Sequence, residues 1–415
     1  METETNWIEF FEDRERLYAE YYLDFAQQNA RRDPEAYEQL EAESGNLLRV
    51  ADWLAEQNEA EGILRLASAL WEESDFMRSR GFMQRGLPLL EHAHQSARQI
   101  EDLEAEFIWL EALANVHHET GNPELAQPLF EEALKLAQGL NNLQFKAKAR
   151  LGIGRVLMEK GQLSRAASWL KQALQNYRQT QEHTGEIETL TALGTLLSLQ
   201  RDFAGAESYL EQGLSIAQAR QDRQGEAALR NALGYAATLA QDWLKAIKHY
   251  EAVIEVARAI GDYFFEVRGL HNLGEAWLEL GDVQQAVNLL EEALTRQETI
   301  DDVLTKAFTH FCLGKAYNIL NAPDKSLVQL KEVYPFRQVP VLLPLAVEAA
   351  WIRADNYLKQ SKIDLARTAL QNVLGLAPHH MAEIRRAAGE LLESLEKGEY
   401  ECELGLTIKK QMRDK

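Results

Sequence analysis

The densest group of basic side chains lies between residues 143 and 178, where cations could bind a carboxylate or a phosphate. The chain has a formal net charge of -21, yet this segment holds one acidic residue, Glu159, beside eight basic ones: Lys146, Lys148, Arg150, Arg155, Lys160, Arg165, Lys171 and Arg178. Lys148 and Arg155 are seven residues apart, so a helix would carry both on one face.

Two interpretations of these cations stay open. The first is salt bridging to acidic residues of neighbouring segments, with Glu111, Glu119 and Glu188 as partners. The second is a subsite for an acidic peptide, a C-terminal carboxylate or a phosphate-bearing ligand.

No sequence motif in the chain indicates catalysis. Gly314-Lys315 is followed by Ala316 and lacks the upstream glycine of a phosphate-binding loop. His117-His118 lacks a further histidine at the helical spacing of a zinc site. Cys312 is predicted to be a small buried hydrophobe and not a nucleophile. We therefore predict a protein that is not an enzyme and that uses no cofactor and no metal.

Composition also limits the kinds of partner and the cellular compartment that we expect. A sequence pI of about 5.0 disfavours binding to nucleic acid, whose phosphates an acidic protein repels. Cysteines occur only at positions 312 and 402, which fits a reducing compartment. The start METETNW lacks the basic and apolar regions of a secretory signal, and the most apolar stretch, 339–351, is too short to cross a bilayer. A cytoplasmic protein with no membrane contact is predicted.

The elements that must position these side chains repeat every forty residues. The stretch HNLGEAWLELGDVQQAVNLLEEAL (271–294) has counterparts forty and eighty residues earlier. Small residues recur at this step at Ala114, Gly154, Gly194, Gly234, Gly274, Gly314 and Ala354. Self-similarity at such a period is typical of stacked supersecondary units.

Each unit is predicted to be a pair of helices. Leu273, Trp277 and Leu280 share one helical face, Gly281 suits the end of that helix, and Asp282 can cap the next one. Gly274 and Ala286 would let the two helices of a hairpin approach closely. No hairpin can bury its apolar face alone, so each copy becomes the packing surface of the next.

These residues resemble the tetratricopeptide repeat, in a form of forty residues. The pattern of the family is matched by Gly274, Trp277, Ala286, Leu290, Ala293 and Leu294. The resemblance covers roughly 103–377, with a degenerate further unit at 63–98. It implies an all-α fold, an α-solenoid of about eight antiparallel helix hairpins whose first helices line a concave side. A last helix over 381–396 would cap it, and the prolines of 334–344 should distort one connection between helices.

Corresponding positions of the first helices therefore give a candidate groove for a ligand. Asn231 and His271 could hydrogen-bond an extended peptide, and Tyr235 could add apolar contact. Phe311 and Trp351 occupy related positions, where core packing explains them equally well. The predicted ligand-binding set is Lys148, Arg155, Asn231, Tyr235, Arg268, His271, Glu275 and Lys315.

The segment before the repeats resembles the junction that leads into the repeat sensor of STAND-class signal-transduction ATPases, including maltose-regulator-type factors. The resemblance rests on Leu40, Glu43, Asn46, Leu47 and Trp53, followed by Arg80, Gly81, Gly86 and Leu90. It implies a sensor or autoinhibitory role, although the chain lacks the nucleotide-binding motif of that class. The predicted domains are an acidic helical arm (1–62), the solenoid (63–398) and a tail (399–415).

The leading functional hypothesis is a module that binds a peptide or protein segment, an acidic one if the cations are free, within a STAND-type regulatory or defence system. A small-molecule or anion sensor and an assembly scaffold acting through the convex face and the arm are the alternatives. The acidic arm could also cover the basic segment 143–178.

Overall fold

A computed structural model of the chain describes residues 7–298, 300–339, 342–378 and 381–397, and the side chains from residue 13 onward. Over these ranges the secondary structure is entirely helical, which confirms the predicted all-α class. None of the helices described there has the length and apolarity needed to cross a bilayer. The chain divides into two compact units: unit 1, Met1–Glu266 with Thr299–Asp301, and unit 2, Val267–Glu298 with Asp302–Lys415.

Unit 1 begins with six helices of uneven length, from 4 to 22 residues, that precede the regular hairpins. They are α1 (Trp7–Gln28), α2 (Pro34–Ala42), α3 (Ser44–Glu56), α4 (Ala60–Ala67), α5 (Phe76–Ser79) and α6 (Leu87–Gln99). A π-helical turn, Ser68–Glu73, continues α4. A core of buried apolar side chains, including Leu40, Leu66 and Phe76, holds these helices together. The predicted helical character of the arm is therefore confirmed.

Regular helix hairpins follow in unit 1, each made of a first and a second helix. They are α7 (Leu103–Glu119) with α8 (Pro123–Gly139), α9 (Leu143–Glu159) with α10 (Leu163–Thr180), α11 (His183–Leu199) with α12 (Phe203–Arg220), and α13 (Arg223–Leu239) with α14 (Trp243–Ile260). The next first helix, α15 (Tyr263–Leu280), starts in unit 1.

Unit 2 continues the same pattern after residue 266. Its helices are the rest of α15 with α16 (Val283–Arg296), then α17 (Val303–Ile319) with α18 (Pro323–Val333), α19 (Leu343–Lys359) with α20 (Ile363–Leu376), and α21 (Ala382–Lys397). The prolines of 334–344 have the predicted effect on one connection. There α18 stops early and a 3-10 turn, Tyr334–Gln338, precedes α19. The predicted tail, 399–415, lies outside the described residues.

The turns between helices follow from local chemistry. Gly281 has a φ of +105°, a conformation that glycine adopts without strain. Asp282 then accepts a hydrogen bond from the backbone N–H of Gln285 at 3.1 Å, so it is the predicted N-cap. The same cap recurs at Asp202 and Asp242. The turn residues that recur every forty positions therefore determine where each helix begins and ends.

The repeated small residues are the points of closest approach within each hairpin. A Cβ added to Gly194 would lie 2.4 Å from Cγ of Leu210, and one added to Gly274 would lie 2.7 Å from Cγ of Leu290. Gly154 and Gly314 meet Leu170 and Leu330 in the same way. Real Cβ atoms do not come so close to another carbon, so only glycine fits between these helices.

We expect Gly194→Ala to lower the free energy of unfolding by about 1–3 kcal/mol, because the new methyl group overpacks against Leu210. Gly139→Ala is the matched control. Gly139 lies in α8 with nothing near its missing Cβ, so alanine should be neutral or stabilise by up to about 1 kcal/mol. Urea unfolding followed by circular dichroism measures both changes, and equal effects would contradict this packing argument.

Candidate functional site

The first helices carry a row of side chains that do not follow the packing pattern. In α15 this row is Arg268, His271, Glu275 and Glu279, at spacings of three and four that keep one helical face. We call the corresponding positions of α7, α9, α11, α13, α15, α17 and α19 the first-helix face. Unlike the packing glycines, its residues differ from repeat to repeat. The candidate site is therefore made of variable side chains on a regular scaffold.

In unit 1, Lys148 of α9 has carboxylates on both neighbouring first helices. Glu111 of α7 is the main cause of a raised pKa at Lys148, and Glu188 of α11 and Glu72 add to it. Glu111 itself has a raised pKa because burial disfavours its charged form. Asn115 donates a hydrogen bond to Glu111 at 2.6 Å. Lys148 is thus the centre of an ionic network that crosses three helices.

Arg155 belongs to the same network. Its guanidinium lies 3.2 Å from a carboxylate oxygen of Glu188. Glu111 and Glu188 thus stand near Lys148 and Arg155 as the salt-bridge interpretation supposes, whereas Glu119 is placed near Arg78. The ligand-binding role of Lys148 and Arg155 stays a prediction. An acidic ligand would have to compete with carboxylates already present.

Other cations of segment 143–178 also contact neighbouring repeats. Lys160 lies 2.8 Å from Glu124, and Arg178 lies 2.8 Å from Glu186. The basic segment is therefore distributed over contacts between hairpins.

The first-helix face carries uncharged polar side chains at α13. Asn231 and Tyr235 are one helical turn apart there and both are partly buried. On α11, the first helix of the preceding hairpin, Thr191 and Thr195 donate their hydroxyl groups to backbone carbonyls one turn earlier, at 2.8 and 3.0 Å. The α11–α13 part of unit 1 is thus neutral and polar along these positions, beside the ionic part of α7–α11.

In unit 2 the predicted residues Arg268 and His271 contact the next repeat. The guanidinium of Arg268 donates to the N-cap residue Asp302 at 3.2 Å. His271 is only 7% exposed, and its Nδ1 lies 3.2 Å from the hydroxyl oxygen of Thr309. That hydroxyl donates to the carbonyl of Thr305 at 2.7 Å, so Nδ1 of His271 must carry the hydrogen and Nε2 the lone pair.

The remaining predicted residues of unit 2, Glu275 and Lys315, lie on α15 and α17. Lys315 pairs with Glu279 at 2.5 Å, and burial beside Glu275 raises the pKa of the Cys312 thiol. Phe311 and Trp351 are each 8% exposed and belong to the apolar cores, which favours the packing interpretation for both. No cluster of three metal-ligating side chains occurs in the ranges that the structure describes.

Sequence reasoning missed the contacts made by residues 32–85. Arg32 donates to Gln224 at the start of α13, and Pro34 lies against Gly261 before α15. Arg78 forms a salt bridge with Asp262 at 2.9 Å. The hypothesis that the acidic arm 1–62 covers segment 143–178 stays a prediction; Arg32 and Pro34 of that arm contact Gln224 and Gly261. The partners are separated by well over a hundred residues, so neither periodicity nor local chemistry indicates them.

Consecutive helix hairpins with a small-residue contact define a class of helical repeat protein. The family model of the tetratricopeptide repeat matches residues 65–139, 145–219 and 225–299, more than half of the chain. The chain belongs to the tetratricopeptide repeat family. The first match starts inside the degenerate unit predicted at 63–98. The matching model describes a repeat and not a catalytic domain.

Solved structures support the same fold at low sequence identity. A STAND protein with a tetratricopeptide repeat sensor from Pyrococcus horikoshii is 16% identical with a TM-score of 0.59, over 82% of this chain and 50% of that one. This chain therefore spans about half the length of that protein. The Cut9–Hcn1 structure (16%, TM-score 0.57) covers 87% of this chain and 62% of that one. A Rap protein complexed with Competence and Sporulation Factor is 14% identical with a TM-score of 0.54, over 84% of this chain and 99% of that one. No curated protein shows significant sequence similarity.

We expect the ionic network to couple Lys148 and Glu111 energetically. Lys148→Met should destabilise unit 1 more than the double variant with Glu111→Gln does, because the single change leaves a partly buried carboxylate without its cation. A double-mutant cycle in urea should give a coupling energy of about 1 kcal/mol or more. The exposed pair Arg16–Glu20 is the control and should give about 0.5 kcal/mol or less. Equal couplings would contradict the network.

We expect His271 to stay neutral in the folded protein at a pH below that at which a free histidine titrates. Burial lowers its pKa from 6.5, so the unfolded chain takes up a proton at a higher pH than the folded one. Stability should therefore fall as pH falls below about 7, and His271→Gln should weaken that fall. An NMR titration of the imidazole gives the direct measurement, and a midpoint at or above 6.5 would contradict this assignment.

Proposed function

We propose that this chain is a non-enzymatic binding module that takes up a peptide or protein segment along its first-helix face. The observation that carries the proposal is the contrast between two sets of positions. The packing positions repeat as glycine, alanine and leucine, whereas the first-helix face carries Glu111, Leu151, Thr191, Asn231 and His271 at equivalent places. Packing does not require this variety, but recognition of a non-repeating ligand does.

The α11–α13 part of unit 1 is the best-suited stretch for an extended backbone. The side-chain amide of Asn231 contains both a donor and an acceptor group, and Tyr235 carries an aromatic ring with a hydroxyl group. The cations and carboxylates of the neighbouring ionic network would bind charged groups of the ligand on one side of that stretch. Because Lys148 and Arg155 already face Glu111 and Glu188, the ligand need not be acidic, although the sequence alone suggested an acidic one.

Fold likeness adds support at a coarser level. The Rap protein that this chain resembles was solved as a complex with Competence and Sporulation Factor. The archaeal relative in fold carries its repeats as the sensor of a STAND protein. On this basis we assign the chain to a cytoplasmic STAND-type regulatory or defence system. A small-molecule or anion sensor is the main competing function.

A random-peptide display screen against the purified chain tests the proposal. We expect micromolar binders whose affinity falls at least tenfold in Asn231→Ala/Tyr235→Ala. The control variant Glu131→Gln/Glu132→Gln alters a second helix, α8, and should bind as the unaltered chain does. Peptides that bind Asn231→Ala/Tyr235→Ala as tightly as the unaltered chain, or that lose affinity for the control variant, would count against this site. A thermal shift with metabolites and no peptide binder would favour the sensor alternative.

A further inference from the structure

Helix α1 exposes apolar and aromatic side chains on the side that does not enter the core of unit 1. Its buried side consists of Ala19, Tyr22, Leu23 and Ala26. Leu17 and Tyr21, one turn apart, are 65% and 62% exposed, and Tyr18 beside them is 37% exposed. We call these three side chains the α1 ridge. A contiguous exposed patch of this kind is typical of an interaction surface.

Acidic side chains border the α1 ridge. Glu20 lies one turn after Leu17, and Asp24 lies one turn after Tyr21. Each makes a solvent-exposed ion pair within the chain, at 3.6 Å for Glu20 and 3.4 Å for Asp24. Exposed pairs of this kind contribute little, so both carboxylates can take another cation at small cost. As a whole, α1 holds six acidic and two basic residues.

A groove elsewhere in unit 1 has a complementary character. It lies between the second helices α8 and α10 and has a volume of about 320 Å³, within the range of pockets that hold a ligand. We call it the α8–α10 groove. Ile153 and Leu157 lie on the side of α9 away from Arg155, so the groove is separate from the first-helix face. The apolar lining consists of Leu134, Ile153, Leu157 and Trp169.

The cations beside this groove differ from those of the first-helix face, because no carboxylate of the described residues pairs with them. Lys135 of α8 and Lys171 of α10 have neither an ion pair nor a hydrogen bond among the residues that the structure describes. Arg165 donates to the uncharged side chain of Gln162. Helix α10 contains three basic residues and no acidic one. Positive charge that the contacts between hairpins leave unpaired is therefore located along α10.

One acidic residue, Glu131, also lines the groove. Its carboxylate already accepts a hydrogen bond from Gln127 at 2.8 Å. Lys135 and Arg165 are both exposed beside it. The edge of the groove therefore favours a partner with carboxylates, and its lining favours an aromatic or aliphatic side chain.

Within one chain the α1 ridge does not fill this groove. Helix α1 packs against α3, α4 and the π-helical turn Ser68–Glu73, where buried Tyr22 holds it. Tyr21 and the cations Lys135 and Arg165 are all left exposed. Each copy of the chain thus presents an acidic ridge and a basic groove, and a second copy supplies the counterpart of both.

We propose that the α1 ridge of one copy docks in the α8–α10 groove of a second copy, so that the protein assembles head to tail. Tyr21 fills the groove beside Trp169, and the carboxylates that border the ridge face Lys135 and Arg165. An amphipathic helix laid in an apolar groove is a common mode of recognition. Aromatic anchors surrounded by a polar rim are typical of protein interfaces.

This assembly goes beyond the proposed function and does not rest on it. It uses α1 and the second helices, whereas the ligand is assigned to the first-helix face. Because the two surfaces differ, the contact does not close as a two-fold dimer does, and every bound copy still offers one free ridge and one free groove. Assembly therefore grows with concentration, and high salt should weaken it because its rim is ionic.

Two variants of the full chain, each without one surface, test the proposal by analytical ultracentrifugation. Leu17→Ser/Tyr21→Ser removes the ridge, and Lys135→Glu/Arg165→Glu reverses the charge beside the groove. All four side chains are exposed, so both variants should fold, which circular dichroism checks. We expect the mass of the unaltered chain to rise with concentration, and each variant to associate at least about tenfold more weakly.

An equimolar mixture of the two variants separates this assembly from other kinds. The ridge variant keeps an intact groove and the groove variant keeps an intact ridge. We therefore expect the mixture to form a dimer of one copy of each and nothing larger. Pairing of α1 with α1 would instead leave the groove variant as associated as the unaltered chain and the mixture without a dimer, and that result would overturn the proposal.

Matched controls alter exposed side chains of other second helices in unit 1. Leu244→Ser removes an exposed apolar side chain, and Arg220→Glu/Lys248→Glu reverses two exposed cations. Both should associate as the unaltered chain does, and so should Asn231→Ala/Tyr235→Ala, whatever the peptide screen finds. An unaltered chain that stays monomeric at every concentration, or controls that lose association as the two variants do, would also overturn the head-to-tail contact.

Discussion

The close contact between the two helices of each hairpin is the constraint on which the structure depends. Where Gly194 and Gly274 lack a side chain, Leu210 and Leu290 occupy the space. The hairpin therefore closes to a fixed separation, and its outer apolar side chains meet those of the next hairpin. One side of each first helix is left outside this packing. The variable residues of the first-helix face can differ between repeats because the glycine contact has already determined the fold.

Charge in this protein is organised between hairpins more than along the sequence. Segment 143–178 looks strongly basic when read as a string, yet Lys160 and Arg178 each meet a carboxylate supplied by another helix. Local net charge is therefore a poor guide to surface potential in a stacked repeat, where neighbours in space are forty residues apart.

The sequence was sufficient for features that are local or periodic. Helix ends followed from glycine and aspartate at a step of forty, and the fold followed from the small residues at the same step. The contact between Arg78 and Asp262 could not be inferred, because these residues belong to no shared period and are brought together only by the accumulated geometry of several hairpins. The same limit applied to Lys148, whose carboxylate partners on two helices could be proposed from sequence but not placed. Buried Phe311 and Trp351 were ambiguous because a ligand-contacting aromatic and a core aromatic have the same spacing.

The separation of 184 residues between Arg78 and Asp262 has a consequence for synthesis on the ribosome. At about 5–20 residues per second, roughly 10–40 s pass between the appearance of the two partners. Helix hairpins can form within that interval, since their contacts are nearly local. Throughout it, Arg80 lacks Tyr263, whose ring later lies 3.8 Å from its guanidinium, because that residue has not yet been made. The Arg78–Asp262 contact thus forms late in the folding of unit 1, and a nascent chain halted before residue 262 would display its early hairpins without it.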